Sequence, residues 1–128
     1  MKIFQIYEPL FKTQPIFITN CSYSELAKYL KKKYGVEEKD GCITTTGQCL
    51  TYLDTKTEST LRIIYLKKLD KKPENLGALI HELFHLVVRV LEDRGVPIVK
   101  DVRNMPGDET AAYLMEFYFS EVLKKISI

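Results

Sequence analysis

Residues 73–95 read Pro73-Glu-Asn-Leu-Gly-Ala-Leu-Ile-His81-Glu-Leu-Phe-His85-Leu-Val-Val-Arg-Val-Leu-Glu-Asp-Arg-Gly95. Proline is well placed in a first helical turn and glycine just past a last one, so the stretch predicts one helix from Pro73 to Gly95. At 100° per residue, Leu76, Leu79, Ile80, Leu83, Val87, Val90 and Leu91 share a face that would pack on a core. His81 and His85 fall off the centre of that face, on a side that also holds Ala78 and Val88.

Residues four apart stand one turn apart on one side of a helix, so two imidazoles at 81 and 85 can reach a single metal ion. Glu82 projects to the side, close enough to act on a metal-bound water. This is the H-E-x-x-H arrangement. His81 and His85 are the only 2 histidines in the chain.

Working outward, the next helix is predicted from near Asp108, after Met105-Pro106-Gly107, to about Ile126. A loop of about a dozen residues separates the two, near the upper end for compact domains. On the other side, residues 42–54 are rich in threonine and apolar residues and read as a strand or as a hairpin broken at Gly47. Residues 59–67 read as a second strand, joined to the first by a polar turn at 55–58. Residues 3–7 and 15–19 read as short strands around Pro9 and Pro15. Ser22 or Ser24 caps a helix ending at Tyr34 with Gly35 as its stop. Leu26, Tyr29, Leu30 and Tyr34 form its apolar face, and Lys28, Lys31, Lys32 and Lys33 its wet one. The order predicts one α+β domain over residues 1–128, its helices packed on a small, largely antiparallel sheet.

The composition narrows the function classes. The chain has 128 residues, 45% hydrophobic and 28% charged, which excludes disorder by composition. A formal charge of +2 is too small a field to argue for nucleic acid. No apolar run is long enough to span a membrane, and the N-terminus does not read as a signal peptide. The three cysteines Cys21, Cys42 and Cys49 form no C-x-x-C pair and suggest reduced thiols in a cytoplasm.

A catalytic zinc site needs a third protein ligand and an open position. The best candidate is Glu109, in the first turn of the last helix, 24 residues after His85. Residues 111–119 are apolar almost all round, which predicts a buried helix. Yet Glu109, Tyr113, Glu116 and Ser120 form one polar stripe along it, and a buried polar stripe needs a partner. The metal and its histidines would be that partner. Glu109 would ligate, Tyr113 would donate to a developing oxyanion, and Glu116 or Asp108 would orient a histidine. Cys49 is a rival ligand. A di-iron carboxylate bundle needs two E-x-x-H motifs and is excluded, since the chain has one.

His81-Glu82-Leu83-Phe84-His85, followed two dozen residues later by Asp108-Glu109-Thr110-Ala111-Ala112-Tyr113-Leu114, resembles the small gluzincin-like metallopeptidases. The likeness is greatest to short metallopeptidases encoded by bacteriophages and prophages. It spans residues 81–117, with Thr110 where alanine is usual. The resemblance implies zinc held by His81, His85 and Glu109, with Glu82 as the base. It also implies a short sheet, an active-site helix and a C-terminal ligand helix. The expected function is hydrolysis of a peptide bond in the bacterial host cytoplasm, on a peptide or on one dedicated protein. Strand 59–67 or a neighbouring edge strand would bind substrate by strand addition. The alternative is a non-catalytic protein of a phage or mobile element, in which the metal pins the two terminal helices.

Overall fold

The computed structural model describes residues 1–37, 46–54, 57, 59–96 and 106–126. Seven elements follow in order: β1 (Lys2–Gln5), β2 (Ile16–Thr19), α1 (Tyr23–Tyr34), β3 (Gly47–Asp54), β4 (Ser59–Leu66), α2 (Pro73–Asp93) and α3 (Pro106–Ile126). The four strands form one sheet in the order β1-β2-β4-β3. β1·β2 and β3·β4 are antiparallel, while β2·β4 is parallel. The fold is therefore α+β with a mostly antiparallel sheet, as expected.

The strands expected at 42–54 and 59–67 form a hairpin, in register from Gly47↔Leu66 to Asp54↔Ser59. Residues 42–45 and most of the turn at 55–58 lie outside the described residues, as does the loop over 97–105. α1 begins and ends as its sequence dictates. Ser22 accepts from the Glu25 backbone N–H while the Glu25 carboxylate reaches back to the Ser22 N–H, a reciprocal capping box. Gly35 takes the left-handed conformation at φ 69° and closes the helix.

β2 and the second half of β4, Ile63–Leu66, are buried on both faces, which explains their unbroken apolar runs. Ile16, Ile18, Ile63 and Tyr65 pack toward Leu26 and Leu30 of α1. Phe17, Ile64 and Leu66 face the other way, onto Leu79, Leu83, Leu86, Val87, Val90 and Leu91 of α2 and Leu114, Tyr118 and Val122 of α3. Helices thus cover both faces, where the sequence had suggested only that they pack on the sheet. Each fully buried Leu, Val or Phe side chain contributes about 1.5–3 kcal/mol.

Two cross-ties set α2 against the sheet. Arg62 of β4 forms an ion pair with Asp93 at the end of α2 and donates to Thr51 Oγ1 of β3. Arg94 donates to the Phe11 carbonyl in the β1–β2 connection. Both ties anchor the C-terminal end of α2, while its middle meets the beginning of β3 where Glu82 packs against Gly47.

α3 departs from its sequence expectation. Its buried face is the single stripe Leu114, Tyr118 and Val122, and Glu109, Ala112, Tyr113, Glu116 and Ser120 are exposed. The apolar residues Ala111, Met115, Phe117 and Phe119 are partly buried beside that stripe, and the face left outward is the polar one, where solvent takes the place of a buried partner.

Candidate metal centre

α2 carries the centre beside the beginning of β3, with Glu82 turned toward Gly47 and the two histidines toward solvent. The Nε2 atoms of His81 and His85 lie 3.2 Å apart, with their rings edge to face. Both imidazoles are exposed, so the i, i+4 spacing brings them together without a core contact to hold them. Glu82 behaves differently. It is only 5% exposed, whereas Ile80, which the helical wheel had placed on the apolar face, is 46% exposed. The buried face of α2 is rotated toward Glu82 and Leu86, so Glu82 points into the protein rather than to the side.

Room for that carboxylate comes from Gly47. A Cβ there would meet the Glu82 Cγ at 3.0 Å and the Tyr65 carbonyl oxygen at 3.0 Å. The first residue of β3 must therefore be small for Glu82 to sit where it does. Glu82 Oε1 lies 3.7 Å from His81 Nε2, and Oε2 is buried with no hydrogen-bond partner. Burial raises the Glu82 carboxyl above the usual carboxylate range, against the pull of His81 and His85. A cavity of about 480 Å³ opens beside it, lined by Thr46, Gly47, Glu74, Gly77, Ala78, His81 and Glu82.

His81, Glu82 and His85 offer ligand atoms all within 4.8 Å of one another, and among the described residues no other such group occurs. This cluster can hold a metal ion. Two nitrogens bound tetrahedrally at the usual zinc–nitrogen distance would stand about 3.3 Å apart, close to the spacing found here. A buried carboxylate oxygen without a partner also calls for one.

The other expected site residues are not part of this group. Glu109 and Glu116 are exposed on α3, and Asp108 belongs to the α3 span with its side chain outside the described residues. Tyr113 donates its hydroxyl to Glu8 Oε1 at 3.1 Å. Desolvation, and then the Glu8 carboxylate, hold that phenol above its ordinary range. Tyr113, Glu116 and Ser120 line a shallow groove of their own with Phe117 and Glu121.

Cys49 is half-buried on β3 and packs toward the α2 side of the sheet. Burial first, and the Glu82 charge second, push its thiol up to about 11. At pH 8 only about one chain in a thousand would carry the thiolate that reacts. In a variant carrying both Cys21→Ser and Cys42→Ser, Cys49 is therefore expected to resist a thiol-specific chromogenic reagent at pH 8 and to react fully once unfolded in guanidinium. Rapid reaction in the folded chain would show that the site is open.

Two residues outside the expected site prove structural to the centre and its frame. Gly47 stood out in the sequence only as a break in a strand run, not as a partner of Glu82. Glu8 had only a weak signal, an acid inside an apolar and aromatic stretch.

The chain matches no protein-family model, no curated protein and no solved structure. Among the described residues no helix is long and apolar enough to cross a membrane.

Proposed function

We propose that this protein is a zinc-dependent peptidase that hydrolyses a peptide bond. The observation that carries this is the pairing of two exposed imidazole nitrogens 3.2 Å apart with a buried, unpartnered carboxylate oxygen on the neighbouring residue. A purely structural metal site has no use for that carboxylate.

His81 and His85 would hold the ion through Nε2, and Glu109, which lies exposed on α3 outside their cluster in this structure, would be the third ligand. Zinc so bound supplies Lewis-acid chemistry and a nucleophilic water at neutral pH. Glu82 accepts a proton on its carboxylate and returns it to the leaving amine. Its raised proton affinity suits a group that must both take and release. Substrate binding is assigned to the outer edge of β3. That strand lies at the edge of the sheet and begins at Gly47, against Glu82. An extended peptide added there would pass beside the histidines.

The test is the metal content of the purified wild type and of the His81→Ala and Glu109→Ala variants. One zinc per chain is expected in the wild type and little in either variant, since loss of one of three protein ligands cripples a catalytic site. Zinc that survives Glu109→Ala would move the third ligand elsewhere. A chain that takes up no metal after zinc is added back would overturn the proposal. Bound zinc with no cleavage of any peptide would favour a metal that only pins α2 to α3.

A further inference from the structure

The corner between β4 and α2 reads Lys67-Lys68-Leu69-Asp70-Lys71-Lys72, and it is built as a fixed platform. The Lys67 N–H donates to the Thr46 carbonyl at 2.9 Å, and the Leu69 N–H to Asn20 Oδ1 at 2.8 Å. Asp70, the one acid of the corner, is turned onto its own loop. Its Oδ1 accepts from the Lys72 N–H at 2.9 Å and from Asn75 Nδ2 at 2.8 Å. Those bonds hold its carboxyl below the usual range, so it stays charged but spent on the loop. Leu69 is buried, and all four lysines are exposed.

Two more lysines extend this surface. Lys2, Thr19, Leu66 and Gly47 form one continuous rung across the sheet, so Lys2 stands two strands from the start of the corner. Lys2 donates to the Lys125 carbonyl, and both ammonium groups lie over the Phe4 ring, at 5.8 and 5.9 Å. Six lysines thus share one pole of the molecule, and the other end of that rung is the mouth of the metal cleft.

Helix physics disfavours this arrangement. The N-terminus of a helix attracts negative charge, and good N-caps are Ser, Thr, Asp or Asn. α2 instead has Lys72 as its N-cap, with no side-chain capping bond, and Glu74 as the only acid of its first turn. Charge of one sign gathered against the helix dipole is expected where it serves binding rather than stability.

We propose that Lys67, Lys68, Lys71 and Lys72, with Lys2 and Lys125 beside them, dock an acidic polypeptide segment and lead it into the His81–Glu82–His85 cleft. This rests on the peptidase proposed above and names its substrate class. The cleft lined by Glu74, Gly77, Ala78 and His81 joins the two regions along one stripe of α2. Lys72 and His81 are nine residues apart, about 13.5 Å along the helix axis and about half a turn around it. An extended peptide needs about five residues or more to cover that, so the acidic stretch lies at least about five residues from the bond cut. A polypeptide is favoured over nucleic acid because residues 67–72 offer no aromatic ring to stack a base and no arginine fork for phosphate, and the Phe4 ring beside them is half-buried with the Lys2 and Lys125 ammonium groups over it.

The test is fluorescence anisotropy of a labelled ten-residue oligo-glutamate peptide with the full chain, read without cleavage. The peptide should bind, and raising NaCl from about 50 to about 300 mM should weaken it about tenfold or more. Replacing Lys67, Lys68, Lys71 and Lys72 together by Ser should weaken it to a similar degree. The same replacement of Lys28, Lys31, Lys32 and Lys33, on α1 across the sheet, should leave it within about twofold, as expected for screened, distant charges. If the fourfold variant does not fold, the pairs Lys67/Lys68 and Lys71/Lys72 are replaced separately, each with about a threefold effect expected. Absence of salt-sensitive binding, equal loss in the α1 variant, or tighter binding of a ten-nucleotide single strand would overturn the proposal. Failure of the peptidase assignment would appear in metal content and cleavage and leave this binding untouched.

Discussion

Glu82→Gln is expected to keep its zinc and to lose peptide hydrolysis by about 10²–10⁴-fold, the usual worth of a positioned general base. The amide has the shape of the carboxylate and fits the same space beside Gly47, but it cannot take a proton. The loss should fall on kcat with little change in KM, because the edge and cleft proposed to bind the substrate would be unchanged. Activity equal to wild type would remove Glu82 from the chemistry. A stability measurement on metal-free chains gives a second readout. Burial raises the Glu82 carboxyl above its ordinary value of 4.5. The folded chain therefore holds that proton more tightly than the unfolded chain does. Stability then falls as pH rises past the ordinary value, and the fall should be absent from Glu82→Gln. The variant is thus expected to be no less stable than wild type at pH 8 while being far less active.

The parts of the fold that were legible in the sequence are those governed by local chemistry. Ser22, Glu25 and Gly35 bracket α1 by capping, and Pro73 opens α2, because helix ends depend on a few residues at fixed offsets. The histidine pair was equally legible, since i, i+4 geometry needs nothing outside the helix. The orientation of Glu82 was not. α2 is apolar over so much of its circumference that a helical wheel cannot choose between Ile80 and Glu82 for the inner edge. Only the glycine at the start of β3, from another element, creates space for a carboxylate. The layering was half-written. Ile16-Phe17-Ile18 and Ile63-Ile64-Tyr65-Leu66 are unbroken apolar runs, the mark of strands covered on both faces, but which helix covers which face is set by long-range packing. For α3, apolar composition overstated burial, because the available partners fully cover only the Leu114–Tyr118–Val122 stripe.

Glu8→Ala is expected to destabilise the chain by about 3 kcal/mol, since hydrogen bonds to a charged group are worth about 1.5–3 kcal/mol each and unpaired buried donors add a penalty. At this chain length that lowers Tm by about 10 °C. Glu8 is fully buried between the β1–β2 connection and α3. Its Oε1 accepts from the Leu10 N–H at 2.6 Å and from the Tyr113 hydroxyl at 3.1 Å, and its Oε2 from the Phe11 N–H at 2.8 Å. Thr13, which exchanges backbone hydrogen bonds with Glu8, holds the Tyr118 hydroxyl through its side chain. One carboxylate therefore shapes the connection and ties it to the helix that carries Glu109. Glu8→Gln should cost less than half as much, because the amide oxygen still accepts from one or two of the three donors. Thermal melts of Glu8→Ala, Tyr113→Phe and the double variant separate the tie from its parts. The double variant should cost less than the sum of the singles by about 0.5–1 kcal/mol, the coupling expected of groups in contact. Strict additivity would mean that Glu8 does not hold Tyr113 in solution. The same variants bear on catalysis. With its hydroxyl given to Glu8, Tyr113→Phe should lower stability while kcat stays within about threefold, whereas loss of an oxyanion donor would cost about 10²–10³ in kcat.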